Sequence, residues 1–161
     1  MIDKYLEQWL IKANNDLKVA ENEIVLDPGD MVTDAICFHC QQAVEKLLKA
    51  YLIFKQVDFD KSHNLEYLLE ICLEKDESFS QVEVGDLSFY AVEIRYPDDF
   101  YIPTEKEARE CLGIAKKVKE FIYNKLNLSD SDIRSFLTLD DEEGEIGEDQ
   151  GNGDNSTAEP F

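Results

Sequence analysis

Residues 36–55 read ICFHCQQAVEKLLKAYLIFK, and this stretch constrains the fold more than any other. Ile36, Cys40, Ala43, Leu47, Ala50 and Phe54 recur in steps of four and three, one apolar stripe of a helix. Cys37, Val44, Leu48 and Tyr51 form a second stripe beside it. The combined face is wide enough for more than one neighbouring helix to cover, which predicts a central helix of a bundle. Gln41, Gln42, Glu45, Lys46 and Lys49 are its polar remainder. Glu45 stands one turn before Lys49, the favoured order for an ion pair along a helix.

The flanking sequence supplies the helices that would cover this face. Leu6, Leu10, Ala13, Leu17, Ala20 and Ile24 predict a first helix over about residues 3–26, with Trp9 widening its stripe. Asp27-Pro28-Gly29-Asp30 stops it, and Asp30 or Thr33 can cap the central helix. The connection is short, so the two helices should form an antiparallel hairpin. Residues 57–61 read as a loop, and Ser62, His63 and Asn64 offer cap chemistry to a third helix carrying Leu65, Leu68, Leu69 and Cys72. Residues 74–81 read as loop. A fourth helix is predicted over Val82–Tyr96, ended by Pro97, because a residue before proline avoids the helical region. Thr104 with Glu107 is a capping box, and Cys111, Ala115, Val118 and Ile122 carry the stripe of the helix it opens. Ser129 with Asp132 predicts a last short helix within 128–139. The expected fold class is therefore all-α, an up-and-down bundle of four or five helices over residues 1–127. Residues 140–161 have no periodicity and no base, and they are expected to be a disordered acidic tail.

Charge and cysteines narrow the function classes. The formal net charge is −20, and residues 128–161 hold eleven acids against one base, Arg134. With no dense basic stripe, non-specific nucleic-acid binding is disfavoured. No apolar run of membrane length exists, so no membrane partner is expected and the chain reads as cytoplasmic. Cys37, Cys40, Cys72 and Cys111 all fall at apolar helical positions and read as buried thiols. Cys37-Phe38-His39-Cys40 has a zinc-like spacing, but it lies inside a helix with no second pair, so no metal site and no cofactor are expected.

Several polar residues are candidates for a site. Arg95 lies one turn from a predicted helix end. It is read as a structural partner of Glu45 or Asp16, with a phosphate fork as the functional alternative. Lys46 and Lys49 read as a solvated face or as phosphate contacts. His63 reads as a cap or packing residue, or as a ligand contact. His39 reads as a satisfied, half-buried histidine. Gln41 and Gln42 suit a dimer seam or a base equally well. Tyr96, Phe100 and Tyr101 read as a roof over the bundle end, or as stacking surfaces.

Four stretches stand together in an order that resembles the HEPN domain family. They are Ala13-x-x-Asp16-Leu17-x-x-Ala20, the block from Cys37 through Glu45-Lys46 to Lys49-Ala50, His63-Asn64-Leu65, and Arg95-Tyr96-Pro97. A final alanine-containing helix, Ala108 to Tyr123, completes the set, and the likeness spans about residues 1–126. The resemblance implies a helical bundle, frequently dimeric, that partners a nucleotidyltransferase-like protein in a toxin–antitoxin-type pair or binds a nucleotide. Lys49, His63, Arg95 and Tyr96 are then the candidate nucleotide-binding residues, and Asp16, Gln41 and Glu45 a structural polar cluster. The family also implies metal-independent ribonucleases with a histidine four to six residues after an arginine. No histidine follows Arg95 here, so no catalytic residue is assigned by that route and a non-catalytic module is expected.

Overall fold

The structure, a computed structural model, describes residues 2–91 and 100–144, with side chains as far as Thr138. It contains five α-helices and no strand among these residues: α1 Lys4–Ile24, α2 Thr33–Phe54, α3 Leu65–Lys75, α4 Glu105–Leu126 and α5 Asp130–Gly144. The all-helical bundle expected from the apolar stripes is what forms.

Both stripes of α2 are inside. Ile36, Cys37, Cys40, Ala43, Val44, Leu48, Ala50 and Tyr51 have no exposed surface. They pack against α1, α3 and α4, so α2 is the hub. The α1 stripe from Leu6 to Ile24 is buried against it, and that of α4 from Ala108 to Leu126 closes the other side. Contacts of Asp16 with His39 and of Trp9 with Lys49 run in opposite senses along α1 and α2, as an antiparallel hairpin requires. Helices α3 and α4 follow α2 in direction. Gln41 meets the carbonyl of His63, Cys72 reaches that of Leu48, and Tyr51 reaches Asp76, so α3 advances with α2 after a returning segment. For α4, Thr33 donates to the carbonyl of Pro103 at one end, while Phe79 bridges Tyr51 and Phe121 at 4.5 and 4.9 Å near the other.

Helix ends follow local chemistry. Asp3 accepts from the Leu6 amide, Asn64 from Tyr67, and the Thr104–Glu107 capping box is closed in both directions. The start of α2 differs from expectation. Val32 holds the cap position, its amide donates to Glu23 Oε1, and Thr33 turns its hydroxyl to Pro103 instead. Gln56 and Asn127 adopt the left-handed conformation just past α2 and α4, where the amides of Val57 and Leu128 reach back to Leu52 and Tyr123.

Three expectations change. Residues 82–91 do not form an α-helix: a 3-10 turn over Leu87–Tyr90 follows Gly85, whose φ of +50° cannot continue a right-handed helix. The rest of the predicted fourth helix lies outside the described residues. The polar stretch read as a loop contains another 3-10 turn, Glu77–Gln81, which drives Phe79 into the core at 1% exposure. The last helix is capped by Ser129 and Asp132 as expected, but it runs to Gly144, five residues beyond the predicted end. Residues 140–144 are therefore helical rather than tail. No helix among the described residues is long and apolar enough to cross a membrane.

Candidate functional site

A polar network lies along α2 where its otherwise apolar face turns towards α1 and the start of α3. Gln41, Glu45 and Lys49 are spaced by four, so they stand above one another on one line of the helix. All three are buried, at 0, 4 and 7% exposure. Such groups are tolerated inside only when their hydrogen bonds are met. Here Lys49 Nζ donates to Glu45 Oε1 at 2.7 Å and also lies 5.7 Å from the centre of the Trp9 ring. Gln41 donates to Glu45 Oε2 at 3.1 Å and to the His63 carbonyl at 3.2 Å. Gln42 donates to Gln41 Oε1 at 2.6 Å.

His63 completes the network from the segment before α3. Its Nδ1 lies 3.0 Å from Glu45 Oε2, while 61% of its side chain is exposed. With Nδ1 on the carboxylate, Nε2 is the nitrogen left for another partner. Burial pushes the Glu45 carboxyl up, but hydrogen bonds from Lys49, His63 and Gln41 outweigh it and hold the carboxyl below the usual glutamate range. Glu45 is thus ionised in the fold.

A second carboxylate repeats the arrangement on the next line of α2. Asp16 of α1 receives His39 Nδ1 on Oδ1 at 2.8 Å and Lys46 Nζ on Oδ2. The His39 ring sits edge-on to Phe38, 5.3 Å between centres. Each cluster thus has one carboxylate, one histidine and one lysine. The Asp16 cluster ties α1 to α2, and the Glu45 cluster ties α2 to the start of α3.

The structure brings together Lys49, His63, Gln41 and Glu45 from the residues singled out in the sequence. Asp16 falls in the neighbouring cluster. Arg95 and Tyr96 lie outside the described residues. The reading of Lys49 as a solvated face is corrected, since its ammonium is enclosed between Glu45 and Trp9. Gln41 faces neither a seam nor solvent. His63 does not cap α3; Asn64 does. Phe100 is 79% exposed and covers none of the described core. Sequence reasoning missed the pairing of His39 and Lys46 with Asp16. Their spacing of seven on α2 was the available signal, opposite an acid set among Ala13, Leu17 and Ala20. All four cysteines are free and buried. Among the described residues no group of three histidine, cysteine or acidic side chains is placed to hold a metal ion.

Comparison with known proteins agrees with this architecture. A protein of Methanocaldococcus jannaschii named "Putative toxin MJ1304" is 29% identical, over 74% of this chain and 86% of its own length. The solved structure of ST0689, described as an archaeal HEPN homologue, superposes with a TM-score of 0.51 at 22% identity, over 74% of this chain and 96% of that one. At that identity the superposition speaks for the fold. Residues 6–126 match the family model of the HEPN domain, which takes in all of α2, α3 and α4 and nearly all of α1. The chain belongs to the HEPN domain family.

Proposed function

We propose that this chain is a non-catalytic interaction module of a toxin–antitoxin-type pair. It acts as a homodimer, partners a nucleotidyltransferase-like protein, and presents a nucleotide near Lys49 and His63. The observation carrying this reading is the saturation of the α2 network. Glu45, Lys49, Gln41 and Gln42 are bound to one another, so the network holds a surface in shape rather than offering reactive groups. His63 is its most exposed member, suited to a hydrogen bond with an anionic or polar ligand. Kinship with a relative named as a putative toxin points to the same setting. The four buried free thiols fit a reducing, cytoplasmic location.

The test is co-expression with a minimal nucleotidyltransferase-like protein as candidate partner, followed by light scattering on the purified material. A stable hetero-complex and a dimer of this chain are expected, with no cleavage of added RNA. ATP at millimolar concentration should raise the melting temperature, and His63→Ala should remove most of that rise. Absence of any complex would overturn the reading.

A second reading is favoured by one observation. A carboxylate on Nδ1 of an exposed histidine is how an imidazole is oriented for proton transfer. On this reading His63 serves a ribonuclease, and RNA cleavage by the purified chain, lost in His63→Ala, is the outcome that selects it.

A further inference from the structure

The chain carries two histidines, and both are held in the same way. His39 sets Nδ1 on Asp16 Oδ1 at 2.8 Å, and His63 sets Nδ1 on Glu45 Oε2 at 3.0 Å. A carboxylate only accepts, so Nδ1 carries the hydrogen in each ring and Nε2 is left with its lone pair. Neither Nε2 has a partner among the described residues. The His39 side chain is 28% exposed and that of His63 61%, so both rings can be reached from solvent.

Gln42 stands between the two rings. It follows His39 by one helical turn, where side chains are neighbours with about 5–6 Å between Cβ atoms. Its amide lies 3.5 Å from Glu45 Oε2, the oxygen that His63 also holds. His39, Gln42 and His63 therefore form a row across the start of α3 and the face of α2. Both carboxylates behind the row are matched by an ammonium, Asp16 by Lys46 and Glu45 by Lys49. In a chain of net charge −20 these two clusters are locally balanced, and each proton taken up by a ring makes the row positive. A single phosphate would reach one end of the row, whereas a chain of phosphates would reach both.

We infer that His39 is a second ligand contact, and that His39 and His63 together grip the phosphate chain of a nucleoside triphosphate. The inference rests on the nucleotide reading above and deepens it by naming the phosphates as the part recognised. A neutral ring offers only a lone pair at Nε2, which repels a phosphate oxygen. Each ring must therefore take one proton from solvent, and the new Nε2–H then donates a charge-assisted hydrogen bond. A base amino group or a ribose hydroxyl would instead donate to Nε2 and leave the ring neutral. Protonation at Nε2 thus separates phosphate contact from nucleoside contact.

The test is nitrogen NMR of the imidazole side chains in the full native chain, at about pH 8, above the range in which an imidazole ordinarily titrates. Two histidines give two ring systems, and His63→Ala assigns them. ATP at millimolar concentration should move Nε2 of both rings from the lone-pair to the protonated position. Inorganic triphosphate, the same chain without a nucleoside, should also move both, and AMP should move His63 alone. His39→Gln, which keeps a donor for Asp16, should weaken ATP binding by about tenfold, the loss of one charge-assisted hydrogen bond, and leave AMP binding unchanged. Should that variant fail to fold, the spectra of the native chain decide the matter. ATP that raises the melting temperature but moves His63 alone overturns this inference and leaves the nucleotide reading standing. ATP that moves neither ring and does not raise the melting temperature overturns both. Rings that respond to ATP and not to inorganic triphosphate meet the nucleoside, which also overturns the inference.

Discussion

Glu45 decides whether the α2 network holds the bundle together. Its carboxylate and the Lys49 ammonium are both taken largely out of water, at side-chain exposures of 6 and 9%. Glu45→Gln keeps the shape but leaves that ammonium without a counter-ion. A loss of about 3–5 kcal/mol in urea unfolding is expected. Adding Lys49→Met should recover part of it by removing the stranded charge. The pH dependence has a definite sign. Glu45 sits below the usual glutamate range in the fold, so its contribution is complete above the unfolded value of about 4.3 and is lost as pH falls through the lower folded value. The urea midpoint of the native chain should therefore drop more steeply below about pH 4 than that of Glu45→Gln. Parallel acid limbs would remove Glu45 from the account. The Glu45–Lys49 pair was legible because it depends only on helical spacing. The Asp16 pairings were not, because they depend on how far α1 is rotated and shifted along α2. A stripe names the buried face without fixing that register.

At the scale of elements, two glycines separate what local sequence dictates from what packing dictates. Gly113 lies within α4, and a methyl group there would meet nothing within 4 Å. Gly113→Ala should therefore stabilise by about 0.5–1 kcal/mol, the difference in helix propensity. Gly85 has φ +50°, and a Cβ would stand 3.0 Å from Ile114 Cδ1. Gly85→Ala should cost about 1 kcal/mol or more through the left-handed backbone alone. Thermal melts of the two variants should move in opposite directions. Equal shifts would mean that residues 82–91 take up a helix after all. That segment shows why one element was misread. Val84, Leu87, Tyr90 and Ala91 recur at near-helical spacing and are all buried, yet a glycine turn and a 3-10 turn bury them just as well. Periodicity reports which side chains go inside, not the hydrogen bonding that puts them there. Phe79 was missed for the opposite reason, a lone ring among polar neighbours with no pattern around it. By contrast α1, α2 and α4 are long, strongly striped helices of 21, 22 and 22 residues, so their apolar faces alone located them.

Over the whole molecule, the unresolved competition is between attraction at particular pairs and repulsion among the acids. The formal charge is −20, and half of it falls in the last 34 residues, beyond the span matched to the family. The acidic stretch begins in α5, which packs on α1, buries Ile133 to 1% exposure and pairs Asp130 with Lys119 at 2.6 Å. Salt weakens both terms. Exposed pairs such as Lys106–Glu110 and Arg109–Glu105 contribute about 0–1 kcal/mol each, so little is lost when they are screened. The Glu45–Lys49 pair is enclosed and is screened much less. Repulsion among the excess acids acts at longer range through solvent, where added ions are most effective. Raising sodium chloride from about 20 mM to about 500 mM should therefore increase the melting temperature, by about 2–4 °C for a chain of this size. A fall over the same range would show that the surface pairs outweigh the repulsion, and that the acids are held apart well enough for their excess not to strain the bundle.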